Sequence, residues 1–227
     1  MSTTQQLQDF AQQVRRDIVR MVHAVNSGHP GGSLGCNEFL TVLYQEVMDY
    51  STDFTMDGKN EDLFFLSNGH ISPVFYSVLA RSGFFPVKEL ATFRKLNTRL
   101  QGHPTTHEGL PGIRMASGSL GQGMSVAIGA AQAKKLNKDN KLVYVLMGDG
   151  EQQEGQVWEA VMYAAHNKVD NVIATIDYNN AWEVAFTLIQ LLPFDEAIKY
   201  ELLGLSTLDE LIVELDILLN QISGEDG

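Results

Sequence analysis

Two short polar motifs, thirty residues apart, carry the residue types best suited to hold a metal ion next to a phosphate. Asp149 lies in Gly148-Asp149-Gly150, and Asn179 lies in the segment 177–180. A carboxylate and an amide oxygen suit Mg²⁺, or Ca²⁺ or Mn²⁺ in its place, sharing the coordination shell with phosphate oxygens. Gly148 and Gly150 let the backbone turn sharply and direct main-chain N–H groups toward an anion. The pair indicates a metal–diphosphate site, whereas the first motif alone also fits an ordinary βα turn.

Apolar, β-rich runs precede both motifs and predict the strands that position them. Residues 141–147 end at the first motif and residues 171–177 at the second, with helical apolar spacing over 156–167 between them. A strand–helix–strand unit of this kind makes the two strands parallel. Ligands collect at the carboxyl ends of parallel strands, so we expect both motifs to face one crevice.

Three histidines follow glycine at expected loop or strand ends: His29, His70 and His103. Any one of them alone is better interpreted as a structural, hydrogen-bonding histidine. Three in matching contexts favour a polar active-site wall, where neutral imidazole donates to phosphate or sugar hydroxyls and transfers protons. The glycine-rich segment 118–123 opens an expected helix, whose N-terminus could hold an anion and whose carbonyls could contact a heterocycle.

The remaining periodicity predicts an α/β fold, in which a mostly parallel sheet carries helices on both faces and a helical C-terminal tail follows. An amphipathic helix is expected over 5–26, then a turn and a second helix with Leu34, Leu40, Leu43 and Val47 facing inward. Further expected elements are a strand at 63–66, helices at 71–81, 86–95 and 122–136, and a long loop at 97–120.

Composition narrows the class of protein. The chain has 227 residues, a net charge of −12 and no basic stripe, so nucleic acid is a poor candidate partner. No stretch reads as a signal peptide or a membrane span, and a single cysteine suits a reducing compartment, so the prediction is a cytoplasmic protein without a membrane partner. Residues 182–227 hold ten acidic side chains and one basic one. We therefore expect a diphosphate-binding domain over 1–181 and an acidic, leucine-rich helical tail over 182–227.

Five motifs together resemble transketolase. They lie at residues 27–35, 66–70, 100–104, 118–123 and 148–155, in the order and approximate spacing of the thiamine-diphosphate half of that family. The resemblance covers residues 5–180, and the segment that follows Asn180 is not matched.

The resemblance implies roles for three groups of residues. The metal ligands would be Asp149, Asn179 and the main-chain carbonyl of Ala181. The cofactor-binding residues would be His70, Gly118, Ser119, Leu120, Gly148, Gly150, Asp177 and Asn179. His29 and His103 would face the substrate, and Glu154 would join a carboxylate network across a dimer interface.

The implied activity is transfer of a two-carbon ketol unit between sugar phosphates, with thiamine diphosphate and Mg²⁺ as cofactors. The family also needs a pyrimidine-binding domain, so we expect the N-terminal subunit of a split transketolase, a transferase that works with a pyrimidine-domain partner in a dimer or heterotetramer. The change of composition after Asn180 supports an alternative, a catalytically inactive, truncated or engineered scaffold. A related ketol or acyl transferase that uses the same cofactor half is a third interpretation.

Overall fold

The computed structural model describes residues 2–177. The expected tail helices, Asn179, Ala181 and the boundary at 181 lie outside these residues and stay predictions. Within the described part of the chain, no helix is long and apolar enough to cross a membrane.

Three parallel strands form the sheet, in the order β1-β2-β3. They are β1 (Leu63–Leu66), β2 (Val143–Gly148) and β3 (Val172–Asp177). Leu66 pairs with Leu146, and Gly148 pairs with Asp177, so all three carboxyl ends meet at one edge. The predicted parallel strands and their shared edge are confirmed.

Helices cover both faces of the sheet, as the sequence predicts. Phe64 and Leu66 of β1 pack into one core cluster, while Leu63 and Phe65 pack into a second. This alternation follows from the period of two in a β-strand. The first cluster contains α1 (Thr4–Val25), α2 (Pro30–Gly35), α3 (Asn37–Val42) and α4 (Ser72–Arg81), and the second contains α5 (Gly123–Leu136) and α6 (Gly155–His166).

Helix α1 begins and ends where its flanking residues satisfy the terminal backbone groups. Thr3 and Gln6 form a capping box at its start, and Asn26 adopts the left-handed conformation, with a φ of 47°, at its end. On the buried face, Asp17 accepts hydrogen bonds from Arg81 Nε at 2.6 Å and from Ser77 Oγ at 2.9 Å. The ion pair fixes α1 against α4, which leads away from the end of β1.

Two expected helices differ in the structure. The single helix expected after residue 33 is divided at Cys36, where ψ is near 0°, and continues as a π-helical turn over Leu43–Val47. Leu40 and Leu43 are buried as expected, but Val47 is exposed. The helix expected over 86–95 is instead a short 3-10 helix, Val87–Thr92, which ends at Thr92 because Phe93 has a non-helical ψ of 127°. The ring of Phe93 is buried.

Candidate active site at the carboxyl edge of the sheet

The turn after β2 and the end of β3 meet directly. The Asp149 N–H donates to the Asp177 carbonyl at 3.1 Å, which places the predicted metal ligand at the junction of the two strands. Asp149 Oδ1 accepts from the Gly150 N–H at 2.8 Å, so the amide predicted to contact diphosphate is paired with the carboxylate predicted to bind metal. A side chain at Gly150 would meet no atom within 4 Å, and the turn is therefore open to a ligand.

The structure brings the three predicted histidines together, and we call His29, His70 and His103 the histidine wall. The rings of His29 and His70 lie edge to face with their centroids 5.1 Å apart. The ring of His103 lies against Gly118 and close enough to influence the charge of His70. Burial, and after it the neighbouring His29 and His103, lowers the pKa of His70. Burial, and after it Arg94, lowers the pKa of His103. Both shifts favour neutral imidazole.

Hydrogen bonds from α4 and from Arg94 hold the segments that carry His103 and His29. Tyr76 Oη donates to the Gln101 carbonyl at 2.9 Å, and Ser72 Oγ donates to the Gly102 carbonyl at 2.7 Å. Arg94 Nη1 donates to Ser27 Oγ at 2.8 Å and so reaches the segment that carries His29. Sequence reasoning did not select Arg94, because no pattern in the sequence relates it to the histidines.

Glycines shape the loop from Gly118 to Gly123, which we call the glycine loop, beside the histidine wall. Gly118 has a φ of +130°, and a Cβ there would lie 3.0 Å from Cγ of His103. Gly121 has a φ of +81°, and a Cβ there would lie 2.8 Å from Cβ of Glu154. Only glycine combines these dihedrals with such close contacts, so the loop lies between His103 and Glu154. Between the two glycines, Ser119 and Leu120 are exposed.

Glu151 is the main residue that sequence reasoning missed. Its side chain is buried, and it accepts hydrogen bonds from Ser67 Oγ and from the N–H groups of Gly121 and Gly148. Ser67 follows β1, Gly121 lies in the glycine loop and Gly148 ends β2. The motif 148–155 contains Glu151, but its composition does not distinguish this buried carboxylate from Glu154, which is exposed.

Asp177 connects the end of β3 to the break between α2 and α3. Burial, and after it a hydrogen bond with the Asp177 carboxylate, raises the pKa of the Cys36 thiol. Asp177 is also among the carboxylates that oppose the lowering of the pKa of His70.

The residues of the edge fit thiamine diphosphate, the cofactor implied by the resemblance. Asn68 is fully buried beside Gly148, and neither its Oδ1 nor its Nδ2 has a hydrogen-bond partner among residues 2–177. A buried amide left without partners is costly, which marks this edge as a place where a polar ligand is expected. Within residues 2–177, no three His, Cys, Asp or Glu side chains are arranged so that they could hold a metal ion, and Asp149 is the only expected metal ligand in this range.

Comparison with known proteins decides the family. Residues 6–208 match the family described as "Transketolase, thiamine diphosphate binding domain". The chain belongs to this family. The transketolase match extends past residue 180, where the resemblance in the motifs ended.

Relatives include both long and divided transketolases. A transketolase of Pongo abelii is 40% identical over 77% of this chain and 28% of its own length. One of the subunits of the apulose-4-phosphate transketolase of Phocaeicola vulgatus is 40% identical over 73% of this chain and 58% of its own length. The chain thus matches less than two thirds of either relative.

Solved transketolase structures share the fold. That of Campylobacter jejuni superposes with a TM-score of 0.71 at 30% identity, covering 95% of this chain and 36% of that one. The predicted α/β class and the predicted family are both confirmed.

Proposed function

We propose that this chain is the thiamine-diphosphate-binding subunit of a split transketolase. It would transfer a two-carbon ketol unit from a ketose phosphate to an aldose phosphate, together with a pyrimidine-domain partner. The observation that carries the proposal is the assembly of the histidine wall, the glycine loop and the Gly148–Gly150 turn at one edge of the sheet. The Phocaeicola vulgatus relative, which is named as one subunit of its transketolase, supports the division into two chains.

The chain's own residues divide the work between anion binding and substrate positioning. His70 and the Gly150 N–H would hold the diphosphate, and Asp149 would bind Mg²⁺ with Asn179 and the carbonyl of Ala181. The chemistry supplied by bound thiamine diphosphate is a nucleophilic carbon that also accepts the electron pair when a carbon–carbon bond breaks.

Substrate contacts fall to the histidine wall. His29 and His103 would donate hydrogen bonds to the sugar hydroxyls and orient the ketose, which neutral imidazole can do without adding charge. Gly118, Ser119 and Leu120 would line the aminopyrimidine, with Asp177 below the thiazolium and Glu154 directed toward the partner.

Exposed apolar side chains on α6 support the proposal that the chain binds a partner. Trp158, Val161 and Met162 are exposed on this helix and share one side of it through their spacing of three and four residues, and we call them the α6 face. Clustered exposed apolar side chains mark an interaction surface. We assign this face to the partner chain or to a second copy in a dimer or heterotetramer, and we place the assembly in the cytoplasm.

Calorimetric titration with thiamine diphosphate tests the proposal. We expect binding with Mg²⁺ and loss of binding with EDTA, and stronger binding when a pyrimidine-domain protein is added. Asp149→Ala should abolish the binding because it removes the carboxylate nearest the diphosphate turn. Asp53→Ala removes an exposed carboxylate in the loop before β1 and is the matched control.

Two results would contradict the proposal. Equal affinity of Asp149→Ala and wild type would show that the metal site is assigned wrongly. A folded wild-type chain that ignores both cofactor and pyrimidine-domain protein would instead support the inactive scaffold.

A further inference from the structure

Glu151 joins three loops that are far apart in the sequence. We propose that it is the positioning residue that holds these loops in the arrangement that binds the diphosphate, an inference that rests on the proposed function. The loops are the segment after β1 (67–70), the glycine loop (118–123) and the turn after β2 (148–150). Each carries residues assigned above to the cofactor.

The hydrogen bonds of Glu151 use both carboxylate oxygens. Oε2 accepts from Ser67 Oγ at 2.6 Å and from the Gly121 N–H at 2.8 Å. Oε1 accepts from the Gly148 N–H at 2.8 Å. An ionised carboxylate accepts several such bonds and donates none, so three donors suit it.

The contact extends from Glu151 into helix α5. Ser67 Oγ, which donates to Glu151, also accepts from the Gly123 N–H at 3.1 Å. Gly123 is the first residue of α5, so the carboxylate sets the distance between the end of β1 and the start of that helix.

Three other buried carboxylates, Asp17, Glu61 and Asp62, lie away from the ligand edge. Asp17 pairs with Arg81, and Glu61 pairs with Arg114, each within 2.6 Å. Asp62 accepts from the Asp49 and Leu142 N–H groups before β1 and β2, so what distinguishes Glu151 is the place of the backbone that it holds. No salt bridge of Glu151 is found within residues 2–177, and the partners given above are a hydroxyl and two glycine amides. Its bonds therefore fix backbone at the ligand edge rather than neutralise a cation.

Amide exchange and cofactor affinity together test the proposal through Glu151→Gln. The amide NH₂ must face either Gly148 N–H or the Ser67 and Gly121 donors, so at least one donor loses its acceptor. By NMR of the cofactor-free chain, we expect the Gly121 and Gly148 amides to exchange at least about tenfold faster, with Val145 in β2 unchanged. By calorimetry with Mg²⁺, the Kd for thiamine diphosphate should rise about ten- to one-hundred-fold. Asp53→Asn, the matched loss of an exposed carboxylate, should change neither.

The possible outcomes separate this proposal from the proposed function. Unchanged exchange at both glycines, or faster exchange with unchanged affinity, overturns the role of Glu151 while leaving the function intact. Faster exchange throughout β2 assigns Glu151 to general stability and also overturns it. If wild type binds no thiamine diphosphate, the function fails and the cofactor role of Glu151 fails with it, while exchange still decides whether the carboxylate holds the loops. If Glu151→Gln does not fold, Glu151→Asp keeps the charge but shortens the side chain by one carbon, and unchanged exchange at both Gly121 and Gly148 then contradicts the proposal.

Discussion

At the scale of single residues, protonation of His70 in the histidine wall makes the stability of the chain depend on pH. His70 has a lowered pKa because it is desolvated and lies near two other imidazoles. Between this lowered value and about 6.5, the unfolded chain binds more protons at this position than the folded chain. Acidification through that window therefore lowers the free energy of unfolding.

Replacing His70 should flatten this pH dependence. We expect wild type to lose thermal stability between about pH 7 and pH 5, and His70→Asn to lose less over the same range. His107 is exposed in the long loop, and His107→Asn is the matched control that should follow wild type. Melting curves of the cofactor-free chain measure this, and parallel slopes for wild type and His70→Asn would show that His70 is not the responsible group.

At the scale of elements, the start of α5 packs so closely against the end of β1 that a side chain on Gly123 would not fit. A Cβ at Gly123 would overlap the side chain of Ser67, whereas a Cβ at Gly129, further along the same helix, would meet nothing within 4 Å. Alanine is therefore expected to fit at Gly129 but not at Gly123, although both lie in α5.

Alanine at these two positions should change stability in opposite directions. Gly123→Ala should destabilise the chain by about 1–3 kcal/mol because α5 must move away from β1. Gly129→Ala should stabilise it by about 0.5–1 kcal/mol because alanine favours helix and finds open space. Urea unfolding midpoints measure both, and a neutral Gly123→Ala would mean that the contact with Ser67 is loose.

The elements were easier to predict than the contacts that organise them. The strands and the strand–helix–strand unit follow from apolar runs of short period, and Asp149 and the histidines stood out because glycines precede them. Glu151 did not stand out, because its partners are 84, 30 and 3 residues away and two of them are backbone amides. The break at Cys36 was missed for a similar reason: leucine spacing describes which face is buried, not where tertiary packing interrupts a helix.

At the scale of the whole molecule, an exposed apolar face on α6 contrasts with the acidic net charge of the chain. Met162 of the α6 face is 64% exposed, and Trp158 on the same side of the helix is 38% exposed, on a chain whose net charge is −12. An exposed apolar face on a strongly acidic protein is consistent with the association proposed above.

A charge placed on the α6 face should weaken that association. Met162→Glu is expected to reduce the affinity for a second copy or for a pyrimidine-domain protein by at least about tenfold, without lowering the melting temperature. Leu96 is even more exposed but lies in a turn outside α6, so Leu96→Glu is the control. Sedimentation at several concentrations measures the mass, and identical profiles for Met162→Glu and wild type would remove the α6 face from consideration.

The reactivity of the Cys36 thiol can be used to measure how often the carboxyl edge of the sheet opens. It is the single cysteine of the chain, and it is buried beside Asp177, where its pKa is raised. The thiolate is the reactive form of cysteine. We therefore expect Cys36 to react slowly with oxidants and alkylating reagents as long as β3 stays against the α2–α3 break. The rate at which this sulfur is labelled in the native chain would therefore measure how often the carboxyl edge of the sheet opens.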